Sequence, residues 1–268
     1  MGVAQQGYTH QFLMHAILAI SALHLAYLKP ESRVLYSVVS TKHQSRAINL
    51  FNTTCTHITE DNCHAAFVLS SLVPLCACAW PAINPSDSPI DDIVKLFTLV
   101  RGVHDILRYS WDWVNQGPFA DIIPKEMPSV ALPAGLQKRL DSLEPLLHGC
   151  DPDGSATLAG ALSELKYVYS VVLAQTAGRE IGMVLMWSIK MPYEFILLIQ
   201  QRNLPALVVS AYYCVLLHSH EDYWFVRGWG SRVLGAIVDS MPLTWREWIQ
   251  WPTEYVGSDS NIGDRSFS

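Results

Sequence analysis

The sequence predicts an all-α protein folded as a single multi-helix domain. Apolar residues recur at helical spacing over long stretches, prolines break those stretches at helix-sized intervals, and no stretch sustains the strict alternation of a half-buried strand. No glycine-rich phosphate loop and no internal repeat interrupts the pattern. At 268 residues, half of them hydrophobic, the chain can bury roughly 70–75% of its unfolded surface.

Each element follows from local signals. Gln11 to Leu28 is apolar nearly all round, interrupted by His15, Ser21 and His24 and stopped by Lys29-Pro30, so it is predicted as a central helix. Ser32 can cap a second helix to about Thr54, amphipathic because Val34, Leu35, Val38, Val39, Ala47, Ile48 and Phe51 alternate at helical spacing with Lys42, His43, Gln44 and Arg46. Thr59 to Asn62 starts a third helix from Cys63 into the Cys76 region, and Pro81, Pro85 and Pro89 mark the loop after it. Asp91 begins a fourth helix through Tyr109 or Trp111, with Ile93, Leu96, Phe97, Val100, His104 and Leu107 on one side. Four prolines between residues 117 and 133 predict an irregular connection, and His148 to Gly154 is a second break. A helix over about Ser155 to Gln175 follows. Pro192 and Pro205 then divide apolar helices around Met183 to Trp187, Tyr193 to Gln201 and Ala206 to His218. Two more, around Trp224 to Ser240 and Trp245 to Trp251, close the chain.

Composition narrows the function. Charged residues make up 16% of the chain, against an average of about 25%, which argues against disorder. With 18 basic and 24 acidic residues the formal charge is -6, a poor match to the basic patch that phosphate-backbone binding needs. Cys55, Cys63, Cys76, Cys78, Cys150 and Cys214 are scattered through a chain too large to need disulfide staples, so reduced thiols are expected. Cys55, His57, Cys63 and His64 come nearest to a metal signature but lack two tight ligand pairs, so no metal and no cofactor is expected. No Lys or Arg precedes the first apolar run, so a secretory signal is not supported. Ala65 to Ile83 has no formal charge and the length of a membrane span, but it holds Pro74 and Pro81, while the stretch Ile181 to Ile199 carries Lys190 and Glu194. Buried helices of a large soluble domain give the same runs, so no membrane span and a cytoplasmic location are expected.

Several side chains stand out against this apolar ground. Tyr212, Tyr213, Cys214 and His218 share one helix, with Cys214 and His218 four apart and therefore stacked. A phenol and an imidazole among aliphatic residues suit a ligand that is mostly hydrocarbon with one oxygen, although plain core packing accounts for each residue singly. Tyr213 and His218 are the candidate catalytic pair, and Tyr212, Cys214, Trp224, Trp229, His104, Met183 and Trp187 the candidate ligand contacts. Trp224, Trp229, Trp245, Trp248 and Trp251 crowd the C-terminal region, where indole rings can close a core or face a fused-ring ligand. His218, His220 and Asp222 form an HxHxD string, but positions i and i+2 of a helix point apart. His15 and His24, nine positions apart, share no face and read as structural histidines. No GxSxG elbow supports serine hydrolase chemistry.

Three blocks carry a resemblance. LMHAILAISALHLA at 13 to 26, with His43-Gln44, Ala47, Phe51, Asn62 to Phe67 and Ser70 to Leu72, resembles the opening of the C-terminal regulatory domain of fungal zinc-cluster transcription regulators, of the sterol uptake control type. LVRGVHDILRYSWDWVNQGP at 99 to 118 is similar to the next block of that domain. AYYCVLLHSHEDYWFVRGWGSRVLGAIVDSMPLTWREWIQWP at 211 to 252 resembles its ending. The resemblance implies an all-helical domain with an apolar internal pocket for a sterol or similar effector. Such regulators read DNA with six closely spaced cysteines that hold two zinc ions, a spacing these six cysteines do not have. Direct nucleic-acid binding by this chain is therefore not expected.

Two functions follow. A stand-alone domain could have been recruited as a cofactor-free cyclase or isomerase of a terpenoid, sterol-like or polyketide substrate, positioning it and polarising one carbonyl. The alternative is the effector-sensing half of a transcription regulator, with a nuclear location, in which ligand binding shifts a conformational equilibrium. Either reading needs a hydrophobic small molecule and admits a homodimer.

Overall fold

Thirteen α-helices and no strand occur among the residues that the computed structural model describes, namely 3–55, 57–108, 111–117, 128–149, 151–174 and 180–258. They group into two compact units, one of Met1–Pro85 with Leu99–Glu126 and the other of Ser86–Thr98 with Met127–Ser268. Most of the expected proline-rich connection, residues 118–127, lies outside the described residues, as do Tyr109, Cys150 and Gln175.

In the first unit, α1 (Val3–Thr9) precedes the expected central helix α2 (Gln11–Leu28), and a tight 3-10 turn at Pro30–Ser32 reverses the chain into α3 (Arg33–Thr54). Ser32 stands at the N-cap as expected, without a side-chain capping bond. α2 packs on both α3 and α4 (Cys63–Ile83). Its buried strip of Ala16, Ala19, Ala22 and Ala26 is small enough for close approach. Phe12, Leu13, Ala16, Ala47, Ala65, Val68 and Leu69 form the core, with Phe12 edge-on to Phe51 at 5.4 Å. Two expectations fail here. Pro81 does not end α4, which runs on to Ile83. Pro74 and Pro81 are both buried and seven residues apart, so the two missing N–H bonds fall on one face. The apolar set of α3 is its buried face only in part: Ala47 is buried and Phe51 packs on the core, but Ser37 and Ser40 are buried beside them whereas Val34, Leu35, Val38 and Ile48 are exposed. Close helix approach selects small residues over large ones there.

α2 and α4 are each long and apolar enough to cross a membrane by length and composition, and 39% and 50% of their most apolar windows are buried.

α5 (Pro89–Arg108) begins with proline and the acidic pair Asp91 and Asp92, a favourable N-terminus, and α6 (Trp111–Asn115) is a short turn in the first unit. In the second unit α7 (Ala134–Asp141), which the sequence reading did not anticipate, leads to α8 (Pro152–Ala174). α8 starts three residues before the expected Ser155, because Asp151 Oδ1 accepts a bond from the Gly154 N–H and Pro152 takes the first helical position. α9 (Glu180–Lys190) and α10 (Tyr193–Gln200) follow, with residues 181–190 meeting α10 at a 92° bend, where Pro192 caps α10. Asn203 then caps α11 (Leu204–His218), its side chain accepting from the Ala206 N–H ahead of Pro205. The expected helix from Trp224 starts later, as α12 (Trp229–Ser240), because the chain turns through residues 219–228 and Gly228 enters the left-handed region at φ 76°. A 3-10 stretch at Leu243–Ile249 and α13 (Gln250–Gly257) replace the single last helix expected.

Candidate functional site

α11 places most of the expected site residues, and its position explains their surroundings. Every residue from Ala206 to Leu217 is buried, with α8, α10, α12 and α13 around it. One face carries Tyr213, which stacks on Trp187 of α9 at 4.5 Å between ring centroids. Phe97 of α5 packs edge-on to both rings, and Phe195 of α10 packs on Trp187. Both polar atoms in this cluster are used: Tyr213 Oη donates to the Val184 carbonyl at 3.1 Å and Trp187 Nε1 to the Ala161 carbonyl at 3.0 Å. These bonds join α8, α9 and α11 through backbone acceptors in a dry setting, where an unbonded polar atom is penalised.

Tyr212 belongs to a different face. Its ring lies 5.3 Å from Trp251, which also meets the Arg139 guanidinium at 5.2 Å, and the Tyr169 hydroxyl donates to the Tyr212 carbonyl at 2.7 Å. Burial raises the Tyr212 and Tyr169 phenols above their ordinary range, so both stay neutral at physiological pH.

Cys214 and His218 share a face, as their spacing predicts, and α12 covers it. A Cβ on Gly230 would come within 2.6 Å of the Cys214 carbonyl and 2.7 Å of the His218 Cβ. Glycine is therefore required for α12 to seat. Burial pushes the Cys214 thiol far up, so it is no thiolate nucleophile. Cys76 behaves likewise, pushed up to about 12 by burial. His218 Nδ1 lies 3.2 Å from Glu221 Oε1 at the end of α11. Tyr213 and His218, five residues apart on α11, point in different directions and do not converge.

The remaining candidates disperse. Met183 is buried in α9, Trp229 is buried at the start of α12 beneath Arg232, and Trp224 is half-buried against Phe225. The side chain of His104 lies outside the described residues. His220 turns its Nδ1 toward the Leu216 carbonyl at 2.7 Å, and no cluster of three metal-ligating side chains occurs among the described residues, so the HxHxD string gathers no ligand set there.

Sequence reasoning missed two features. Phe97 and Phe195 complete the aromatic cluster, and Phe97 was legible as part of the apolar side of its helix. The other is a polar contact in the first unit: His15 Nδ1 and His43 Nδ1 stand 2.7 Å apart, so one ring carries the proton that the other accepts. The residues are 28 apart in sequence on two helices, and no local spacing announces them.

Comparison with known proteins agrees with the resemblance read from the sequence. Residues 4–95 match the family described as the fungal specific transcription factor domain. Across 93% of the chain, it is similar at 24% identity to a Zn(2)-C6 fungal-type transcription factor of Gibberella zeae. The chain spans about half the length of that curated relative, 54% of it. No solved structure matches. The chain is thus all-helical among its described residues and similar to fungal transcription factors.

Proposed function

We propose that this chain is the effector-sensing regulatory domain of a fungal transcription regulator, responding to a hydrophobic sterol-like molecule and acting in the nucleus within such a regulator. The observation that carries the reading is the family match at residues 4–95 together with similarity to a Zn(2)-C6 factor over nearly the whole chain. The cyclase reading has no comparable support. It needs Tyr213 and His218 to act on one carbonyl, but they lie on different faces of α11, and Tyr213 Oη already donates to Val184.

The second unit supplies a physical basis for sensing. Trp187, Tyr213, Phe97 and Phe195 close on one another, so an apolar effector entering there must displace ring contacts. Its apparent affinity is then reduced by the fraction of molecules already open, and binding shifts that population. A ligand-driven switch requires this differential affinity.

The test is a thermal-shift titration of the chain with ergosterol-like sterols and a panel of terpenoids, with product analysis after prolonged incubation. Saturable binding at about a hundredfold excess over Kd should add about 2.7 kcal/mol of stability, with the ligand recovered unchanged. An unmoved melting temperature across the panel overturns the effector reading, and recovery of a rearranged product restores the enzyme.

A further inference from the structure

The exposed side of α3 has an organised chemistry. Val34, Val38, Lys42 and Arg46 follow one another at four-residue steps, which sets them in one row along the helix. All four are exposed, Val34 by 80%. Trp80 and Asn84, at the end of α4, form the opposite wall of a trough of about 620 Å³ that this row lines. The row is divided: one end is aliphatic and the other cationic, and the Trp80 indole lines the same trough. α3 carries no aspartate or glutamate over its 22 residues, although the chain as a whole has a net charge of -6. Among the described residues neither Lys42 nor Arg46 has a carboxylate partner.

We infer that this trough docks an acidic amphipathic helix of a partner protein. Aliphatic side chains one turn apart on that helix lie against Val34, Val38 and Trp80, and carboxylates one or two turns further along meet Lys42 and Arg46. Helix-in-groove recognition uses this spacing of anchors, and opposite charges fix the direction in which the helix lies.

Other occupants fit less well. Small-molecule sites enclose most of their ligand, whereas Val34 here is open to water. A second copy of the chain brings no carboxylate on its own α3. Two-fold pairing of the rows sets Lys42 and Arg46 against valines in one direction and against each other in the opposite one. A flat anionic bilayer touches the rims of a trough and leaves its floor uncovered.

The probe is a fluorescein-labelled peptide of about 16 residues, long enough to hold helix in water, with leucines one turn apart and glutamates on the following turns. Fluorescence anisotropy with the full chain should show saturable binding. Lys42→Glu with Arg46→Glu should weaken it at least about tenfold, and the mirror peptide with lysine for glutamate should bind the reversed variant. Both substituted residues are exposed, so circular dichroism and melting should match the parent and exclude misfolding. Absence of saturable binding, or binding indifferent to the reversal, overturns the proposal. So does co-sedimentation with phosphatidylserine vesicles that is lost in the reversed variant while the peptide fails to bind. A dimer seen by light scattering that Val38→Asp dissolves, and that the peptide does not compete with, overturns it in favour of self-association.

Discussion

α11 and α3 are both long helices of one chain, and water meets them in opposite ways. α11 has 15 residues and buries twelve in succession, from Ala206 to Leu217. α3 has 22 residues and fully buries Ser37, Ser40 and Ala47. α3 is the more polar helix, but that alone does not explain its burial, because it leaves Val34, Leu35, Val38 and Ile48 exposed while burying Ser37 and Ser40. What differs is how many neighbours surround the helix axis. α11 has helices on all sides of it within the second unit, whereas α3 sits on α2 through small residues and leaves its large aliphatic ones outside. Burial of bulky side chains holds α11, and close approach of backbones holds α3.

The largest expected effect tests the first half of that contrast. Tyr213→Ala removes a fully buried ring that touches Trp187 and Phe97, and should destabilise by about 3–5 kcal/mol in urea unfolding. Tyr213→Phe keeps the ring and loses only the bond to Val184, and should cost about 1 kcal/mol. A Tyr213→Ala loss below about 1 kcal/mol would mean a loosely packed cluster, and the contrast with α3 would collapse.

The seating of α12 on α11 comes next. Gly230→Ala places a methyl 2.6 Å from the Cys214 carbonyl and 2.7 Å from the His218 backbone nitrogen. Backbone atoms yield less readily than the end of a side chain. The substitution should therefore lower stability by about 1–3 kcal/mol, read as a drop in melting temperature. The same change at Gly235 of α12, where nothing lies within 4 Å of the added methyl, should be neutral or stabilising, since alanine favours helix by up to ~1 kcal/mol. Equal effects at the two positions would refute the close packing.

How much of this was written in the sequence differs between the same two helices. Both sets of bounds were nearly legible, since Lys29-Pro30 and Ser32 frame the start of α3 and Asn203 with Pro205 the start of α11. The environment of α11 was partly legible too, because apolar residues run all round it and a buried position accommodates such a helix. The exposed face of α3 was not, because periodicity shows which residues share a face and not whether another helix covers it. Residues 224–228 read as helix from the sequence because their apolar aromatics mimic one, and Gly228 carries the stop signal. The candidate site suffered most. Tyr213 and His218 are near in sequence, but the five-residue step and the packing of α12 separate their surroundings, and no motif records such tertiary facts.

The smallest effect concerns the polar contact that ties α3 to α2. At neutral pH one of His15 and His43 donates from Nδ1 and the other accepts across 2.7 Å. Protonating both would set two donors and two charges face to face. Burial, then the neighbouring His43 and then Arg46, hold the His15 imidazole below its ordinary value of 6.5 in the folded chain. The unfolded chain therefore takes up the proton first as pH falls. The stabilisation is complete above pH 6.5 and declines as pH drops through that value toward the lower folded one. Melting temperature should accordingly fall between pH 7.5 and 5.5, and His15→Gln should flatten that slope without reproducing the collapse expected of Tyr213→Ala. The Tyr213 and Trp187 bonds to backbone carbonyls contain no group that titrates in this range; burial holds the His10 imidazole below 6.5 as well, so the part of the slope that His15→Gln removes is the part that belongs to the α2–α3 contact. An unchanged slope in the variant would show that the α2–α3 hairpin depends on its alanine and serine strip alone.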